Sequence, residues 1–321
     1  MQDIFIEILP IIIFAIGVGT ISSMIGIGGG IINTPLLIIV FFLSEQSAPA
    51  TALVAALSVG AASTVAYARQ KPRPIVPKAG LFVAITTIPG SLTGVFLRTL
   101  ITDQMLLRYI FAILLFPIAL KMLFAKKKGP VDRTAQLEAI NFGQIGSRKL
   151  MFALFGGFCG GIVAGLLGLG GGVIVVPVLS LIMGLPMHAA VATSMFTMIF
   201  TASAGTAMNY AQGFIDPFFA LALGIGMIIG AQIGPRLACK VNAVQLKQIF
   251  GLVLVFPLVK MAKLGMTLFN EPNAYTPLSV AGDALIWLII IIPIALIKYY
   301  LRGRIVAETP DEETCDAPTG I

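Results

Sequence analysis

Long apolar runs joined by short polar stretches set the pattern of this chain. Residues 4–43 are one apolar block, and as a single helix they would extend about 60 Å, twice a hydrocarbon core of about 30 Å. The block must therefore cross twice or fold back. The pattern predicts a hairpin with legs at 4–23 and 31–43, bent at Gly26-Ile27-Gly28-Gly29-Gly30, the second leg too short to span comfortably. Residues 150–185 predict an equivalent hairpin. Three ordinary spans follow each hairpin, at 47–68, 79–98 and 106–124, then at 189–210, 217–237 and 246–264, and one more apolar segment occupies 280–300.

The two sets are copies of one plan. A shift of 142 residues lays Gly26, Gly28, Gly29, Gly30, Pro35 and Thr51 onto Gly168, Gly170, Gly171, Gly172, Pro177 and Thr193. Further on, a shift of 140 lays Gly90 and Gly94 onto Gly230 and Gly234, and Phe116-Pro117 onto Phe256-Pro257. A hairpin returns to its starting side and three spans then change sides, so the second copy should be upside down relative to the first. The expected fold is an all-α polytopic membrane protein of two inverted-topology repeats, each a Gly-broken hairpin plus three transmembrane helices, with one extra C-terminal transmembrane helix. Its parts are repeat 1 at 1–125, a cytoplasmic connecting loop at 126–148, repeat 2 at 149–265, a loop with the extra helix at 266–301, and a cytoplasmic acidic tail at 302–321.

Composition removes the soluble alternative, with 58% hydrophobic and 11% charged residues and a mean hydropathy of +0.99. The N-terminus lacks the positive flank of a secretory signal and reads as the start of the first leg. The net charge of +7 could suggest an acidic partner, but its placement follows the positive-inside rule. Arg69, Lys71, Arg73 and Lys78 share one connection, Lys121, Lys126, Lys127, Lys128, Arg133, Arg148 and Lys149 the central one, and Arg236, Lys240 and Lys247 a third. These loops are expected in the cytoplasm, with the N-terminus outside, the C-terminus cytoplasmic and the chain in the plasma membrane. The Arg98, Asp103, Arg108 loop, expected outside, fits poorly. Tyr67 and Tyr210 sit at span ends, where interfacial anchoring is expected. No interleaved aromatic platform accompanies the basic residues, so nucleic acid is not an expected partner.

The candidate chemistry lies at the breaks. Glycine costs about 1 kcal/mol relative to alanine inside a helix, so two matching clusters within apolar sequence suggest a backbone interrupted for a purpose. A helix starting after such a break points unpaired N–H groups and its positive dipole end at the gap, which favours an anion. Candidate substrate-binding residues are Gly28, Gly29, Gly30, Ile31, Asn33, Thr34, Thr51 and Ser58 in the first half, with Gly170, Gly171, Gly172, Val173, Thr193, Ser194 and Asn209 in the second. Pro35, Pro117, Pro177 and Pro257 are candidate hinges. The Gly90, Gly94, Gly156, Gly160, Gly230 and Gly234 spacings read instead as close helix packing. Apart from Glu7 and span-end residues such as Arg98, the spans carry no Asp, Glu, Lys or Arg, which argues against an Asp/Glu proton relay. Cys159, Cys239, Cys315 and the lone His188 form no metal-ligand spacing, so no metal, cofactor or catalytic centre is expected.

At Gly26-Ile-Gly-Gly-Gly-Ile-Ile-Asn-Thr-Pro35, Gly168-Leu-Gly-Gly-Gly-Val-Ile-Val-Val-Pro177, Ala192-Thr193-Ser194 and Asn209-Tyr210-Ala-Gln-Gly213-Phe-Ile-Asp216, the chain resembles the TauE/SafE sulfite exporter family. The resemblance covers about residues 10–265. It implies a multi-pass transporter of sulfite, sulfonates, sulfoacetate, taurine-related or similar organosulfur anions across the plasma membrane; the inverted repeats lead us to expect alternating access, with an anion channel or facilitator as the alternative. The first repeat departs where Ala52 stands in the place of Ser194. The coupling ion stays unknown, and a homodimer is allowed but not required.

Overall fold

The structure, a computed structural model, describes residues 2–39, 41–44, 46–100 and 146–239, with single positions at 116, 120, 281–282, 285–286 and 288–289. The expected spans 106–124, 246–264 and 280–300 lie largely outside the described residues, as do Pro117, Pro257 and the acidic tail. Among the described residues, eight α-helices fall within one compact unit drawn from both halves of the chain. A second unit, assigned to residues 103–125 and 247–314, falls mostly outside the description.

The first hairpin is α1, Gln2–Ile25, and α2, Gly30–Ile39. Its ten-residue second leg rises only about 15 Å, half of a hydrocarbon core. Two longer helices follow, α3 at Ser47–Ala68 and α4 at Pro77–Leu100. The second half repeats the order with α5, Ser147–Leu167, and the short α6, Gly172–Pro177, which runs into a π-helical turn at Val178–Ile182. Then come α7, Met187–Ala211, and α8, Pro217–Cys239. Proline opens both α4 and α8, where its missing N–H is harmless. Asp216 caps α8, its Oδ1 accepting from the amides of Phe218 at 3.0 Å and Phe219 at 3.2 Å.

Five of these helices, α3, α4, α5, α7 and α8, are long and apolar enough to cross a membrane. Leu81, Ile85, Phe96, Phe152, Phe155, Leu221, Ile229 and Ile233 are exposed on α4, α5 and α8, as lipid-facing side chains should be. The most enclosed spans are α3 and α7.

Small residues let backbones touch at two crossings. On α4, a Cβ at Gly90 or Gly94 would run into the carbonyl oxygens of Phe158 or Ile162 of α5, and on α5 one at Gly161 or Gly165 would meet Thr87 O or Ser91 O of α4. The matching crossing joins α1 and α8, where a Cβ at Gly226 would lie 2.6 Å from Ile12 O, and one at Gly230 or Gly234 would strike Ile16 O or Thr20 O. In each pair the contacts advance together along both helices, so the partners run in the same direction. Gly156 and Gly160 face Val178 and Ile174 of the second hairpin rather than another span.

Candidate functional site

Each hairpin breaks where consecutive glycines adopt backbone conformations that other residues avoid. Gly26, Gly28 and Gly29 have φ of 86°, 89° and 77°, and Gly168, Gly170 and Gly171 repeat the pattern at 70°, 71° and 87°. Both breaks are buried, and they touch each other reciprocally. A Cβ at Gly30 would fall on the carbonyl oxygen of Gly168, and a Cβ at Gly172 would fall on that of Gly26. Under the 142-residue shift these are the same contact made twice.

At the first break, hydrogen bonding resumes with Ile32 N and Asn33 N donating to Gly29 O, each at 3.0 Å. At the second, Ile174 N and Val175 N donate to Gly171 O at 3.2 and 3.1 Å. The amides of Gly28, Gly29, Gly30 and Ile31, and of Gly170, Gly171, Gly172 and Val173, find no acceptor among the described residues. Buried N–H groups left unpaired cost about 1–3 kcal/mol each, so two clusters of them are unusual in a folded chain.

The other candidates play different parts. Thr34 ties the two hairpins together at their breaks, and Ser194 ties the first break to α7. Thr34 Oγ1 donates to Leu167 O at 3.1 Å, and Ser194 Oγ lies 3.2 Å from Gly26 O and 2.8 Å from Val191 O. Thr51 and Thr193 instead secure the chain entering a helix, Thr51 Oγ1 accepting from Asp216 N before α8 at 3.1 Å and Thr193 Oγ1 from Val76 N before α4 at 3.0 Å. Ser58 bonds its own helix at Val54 O, 3.1 Å. Asn33 is fully buried beside the first break, with Nδ2 3.1 Å from Met227 Sδ and Oδ1 unpartnered. Asn209 stands apart from the breaks, bonded to Arg98. Pro177 is buried where α6 passes into the π-turn, and Pro35 lies within α2.

Met198 occupies the space between the two turns. A Cβ at either Gly28 or Gly170 would lie 2.5 Å from its sulfur, a gap that a flexible thioether fills well. The surroundings of the breaks differ. Beside Gly29 the Met227 methyl leaves no space for a Cβ, whereas beside Gly171 the nearest atoms, from Ala164 and Thr201, are 3.5 Å away. Thr201 Oγ1 lies 2.7 Å from Thr87 Oγ1, and both side chains are buried. The second break is thus the roomier.

Two expectations are corrected by the packing. Tyr67 is no interfacial anchor: it is 1% exposed and its hydroxyl donates to Ser23 O at 2.9 Å. Tyr210, at 79% exposure, remains on the surface. Arg98, counted as part of a misfitting outer loop, turns inward, where its guanidinium bonds Gly165 O and Asn209 Oδ1. Arg98, Thr87, Thr201 and Met198 were not among the candidates. Comparing the halves position by position would have flagged three of them, since Ala238 stands opposite Arg98, Val59 opposite Thr201 and Met227 opposite Thr87.

Residues 11–261 match the family described as Sulfite exporter TauE/SafE. The chain belongs to that family. Similar proteins include a probable membrane transporter of Bacillus subtilis, 29% identical over 76% of this chain and 93% of the relative. Another, from Methanocaldococcus jannaschii, is 26% identical over 79% of this chain and 97% of its own length. A third, from Xylella fastidiosa, is 28% identical over 74% and 88%. No solved structure matches the chain. As a member of the TauE/SafE family it is a multi-pass membrane protein of a transporter lineage, and the geometry of the breaks is to be read in that light.

Proposed function

We propose that this protein is a secondary transporter that carries a small sulfur oxyanion or organosulfur anion, of the sulfite or sulfonate type, across the plasma membrane by alternating access. The observation that carries the reading is the pair of buried glycine turns in mutual contact, with eight amides facing no acceptor among the described residues. An oxyanion accepts from such amides without a fixed charge to trap it, so it can leave again. The second break, where the nearest atoms stand 3.5 Å from a Cβ at Gly171, is the roomier half of the site.

Inverted repeats suit this mechanism, because one packing can then be exchanged for its mirror on the other face. The reciprocal Gly30–Gly168 and Gly172–Gly26 contacts and the twin Thr51 and Thr193 clips support that arrangement. The basic connections favour an N-terminus outside and a C-terminus in the cytoplasm, and the π-turn after Pro177 is a natural point of bending.

The test is reconstitution of the full chain in liposomes, with sulfite, methanesulfonate, sulfate, acetate and sodium compared for uptake and for thermal stabilisation. Saturable uptake and stabilisation by sulfur oxyanions are expected, and Gly171→Leu is expected to remove both while the protein still inserts. Stabilisation by cations alone, or an unaltered response in Gly171→Leu, would overturn the assignment.

A further inference from the structure

The repeat allows a comparison inside one chain. In the first half the carbonyl of Ser23, near the end of α1, receives the Tyr67 hydroxyl at 2.9 Å. In the second half the equivalent carbonyl, Gly165 of α5, receives Arg98 Nη1 at 3.3 Å. Asn209 stands where Tyr67 stands, and Ala238 where Arg98 stands. One carbonyl position is thus served by a neutral phenol in one half and by a guanidinium in the other. Capping alone does not require the charge, since Tyr67 does it without one.

The Arg98 cation is 9% exposed and Asn209 fully buried, and Arg98 makes no ion pair among the described residues. The Phe214 ring centroid lies 5.9 Å from the guanidinium carbon. Arginine only donates, so Asn209 must turn Oδ1 toward it and direct its amide nitrogen elsewhere. Arg98 Nε and Asn209 Nδ2 are then two buried donors with no acceptor among the described residues. From this pair the α4 and α7 interface stays polar as far as the second break. Ser91 Oγ, buried and without a partner among the described residues, would lie 2.6 Å from a Cβ at Gly205, and the hydrogen-bonded Thr87 and Thr201 follow, the Thr201 methyl 3.5 Å from a Cβ at Gly171. In the first half the positions matching Ser91, Thr87 and Thr201 are Ala231, Met227 and Val59.

We propose that Arg98 and Asn209 form an access site for the transported oxyanion on one face of the protein only, from which it passes along Ser91, Thr87 and Thr201 to the second glycine break. The inference rests on the transport reading above and adds to it a second station and a polarity. A guanidinium with its planar fork of donors suits a multi-oxygen anion, and its seclusion from water strengthens the attraction.

The experiment uses the full chain in detergent and in liposomes, with sulfite as the probe. It compares Arg98→Gln, Arg98→Lys and the double variant Arg98→Ala with Asn209→Tyr, which copies the arrangement of the first half. Arg98→Gln should raise the half-saturating sulfite concentration by about tenfold or more, the effect of losing a charged hydrogen bond, while Arg98→Lys should recover most of that loss. The double variant should keep the ligand-free melting temperature, because its tyrosine can reach Gly165 O, and should lose affinity as Arg98→Gln does. If Arg98→Gln does not fold, the double variant decides. Wild-type affinity in the double variant, or equal losses in the Lys and Gln variants, would overturn the access site and leave the transport reading intact. A wild-type protein indifferent to every anion would overturn both.

Discussion

Gly171 and Gly172 are adjacent, yet glycine is required at them for different reasons. At Gly171 the constraint is conformational. Its φ is 87°, but a Cβ would meet nothing nearer than 3.5 Å. At Gly172 the constraint is spatial, because a Cβ would fall on the Gly26 carbonyl oxygen and force the two breaks apart. A left-handed conformation costs an ordinary residue about 1–2 kcal/mol, whereas a backbone displaced at a packed contact costs about 1–3 kcal/mol and occasionally more. Thermal unfolding of the purified protein should therefore show Gly172→Ala and Gly30→Ala less stable than Gly171→Ala. Equal losses would mean that the breaks do not bear on each other. The positions of these glycines were legible in the letters, because nothing else in a helical membrane segment calls for a triplet of them. Their mutual contact was not, since a repeat states equivalence between two segments and says nothing of the distance between them.

Among the elements, the boundaries of the spans were well marked. The expected spans 47–68, 79–98, 189–210 and 217–237 correspond to Ser47–Ala68, Pro77–Leu100, Met187–Ala211 and Pro217–Cys239, because in lipid the apolar run and the helix must coincide. The azimuth of each helix was hidden. Arg98 near the end of α4 reads as a side chain reaching for water, and Tyr67 near the end of α3 as an anchor at the headgroups. In each case the neighbouring helix decides otherwise, by offering the carbonyl of Gly165 or Ser23. Hydroxyls were equally ambiguous: Thr51, Ser58 and Thr193 serve the scaffold, while Thr201, which sequence reasoning passed over, borders the second break. The glycine-lined crossings give a prediction at this scale. Gly94→Val and Gly230→Val should each sharply reduce the yield of monodisperse protein in size-exclusion chromatography, because the added carbons meet backbone of the facing helix. Gly146→Val, where a Cβ meets nothing within 4 Å, should leave the yield unchanged.

For the whole molecule the central question is the sense of the two halves, and the contacts already on the α3 and α7 helices make it testable. The chain entering α8 is held near the start of α3 by Thr51, and the chain entering α4 near the start of α7 by Thr193. The connection leaving α7 therefore returns to the beginning of α3, and the connection leaving α3 to the beginning of α7. Two equivalent helices related in that way present their following loops at opposite ends. The connection after α3 carries Arg69, Lys71 and Arg73, with Lys78 in the first turn of α4, and the loop after α7 has Asp216 and no basic residue, a difference in charge from which the positive-inside rule predicts a cytoplasmic basic connection. Single cysteines at Arg73 and at Gly213, both exposed, would report this in a background with Cys159, Cys239 and Cys315 replaced by serine. In right-side-out vesicles a membrane-impermeant maleimide should label Gly213→Cys at once and Arg73→Cys only after permeabilisation. Labelling of both without permeabilisation would give the halves the same sidedness, and a carrier built on exchange between equivalent halves would then have no structural basis.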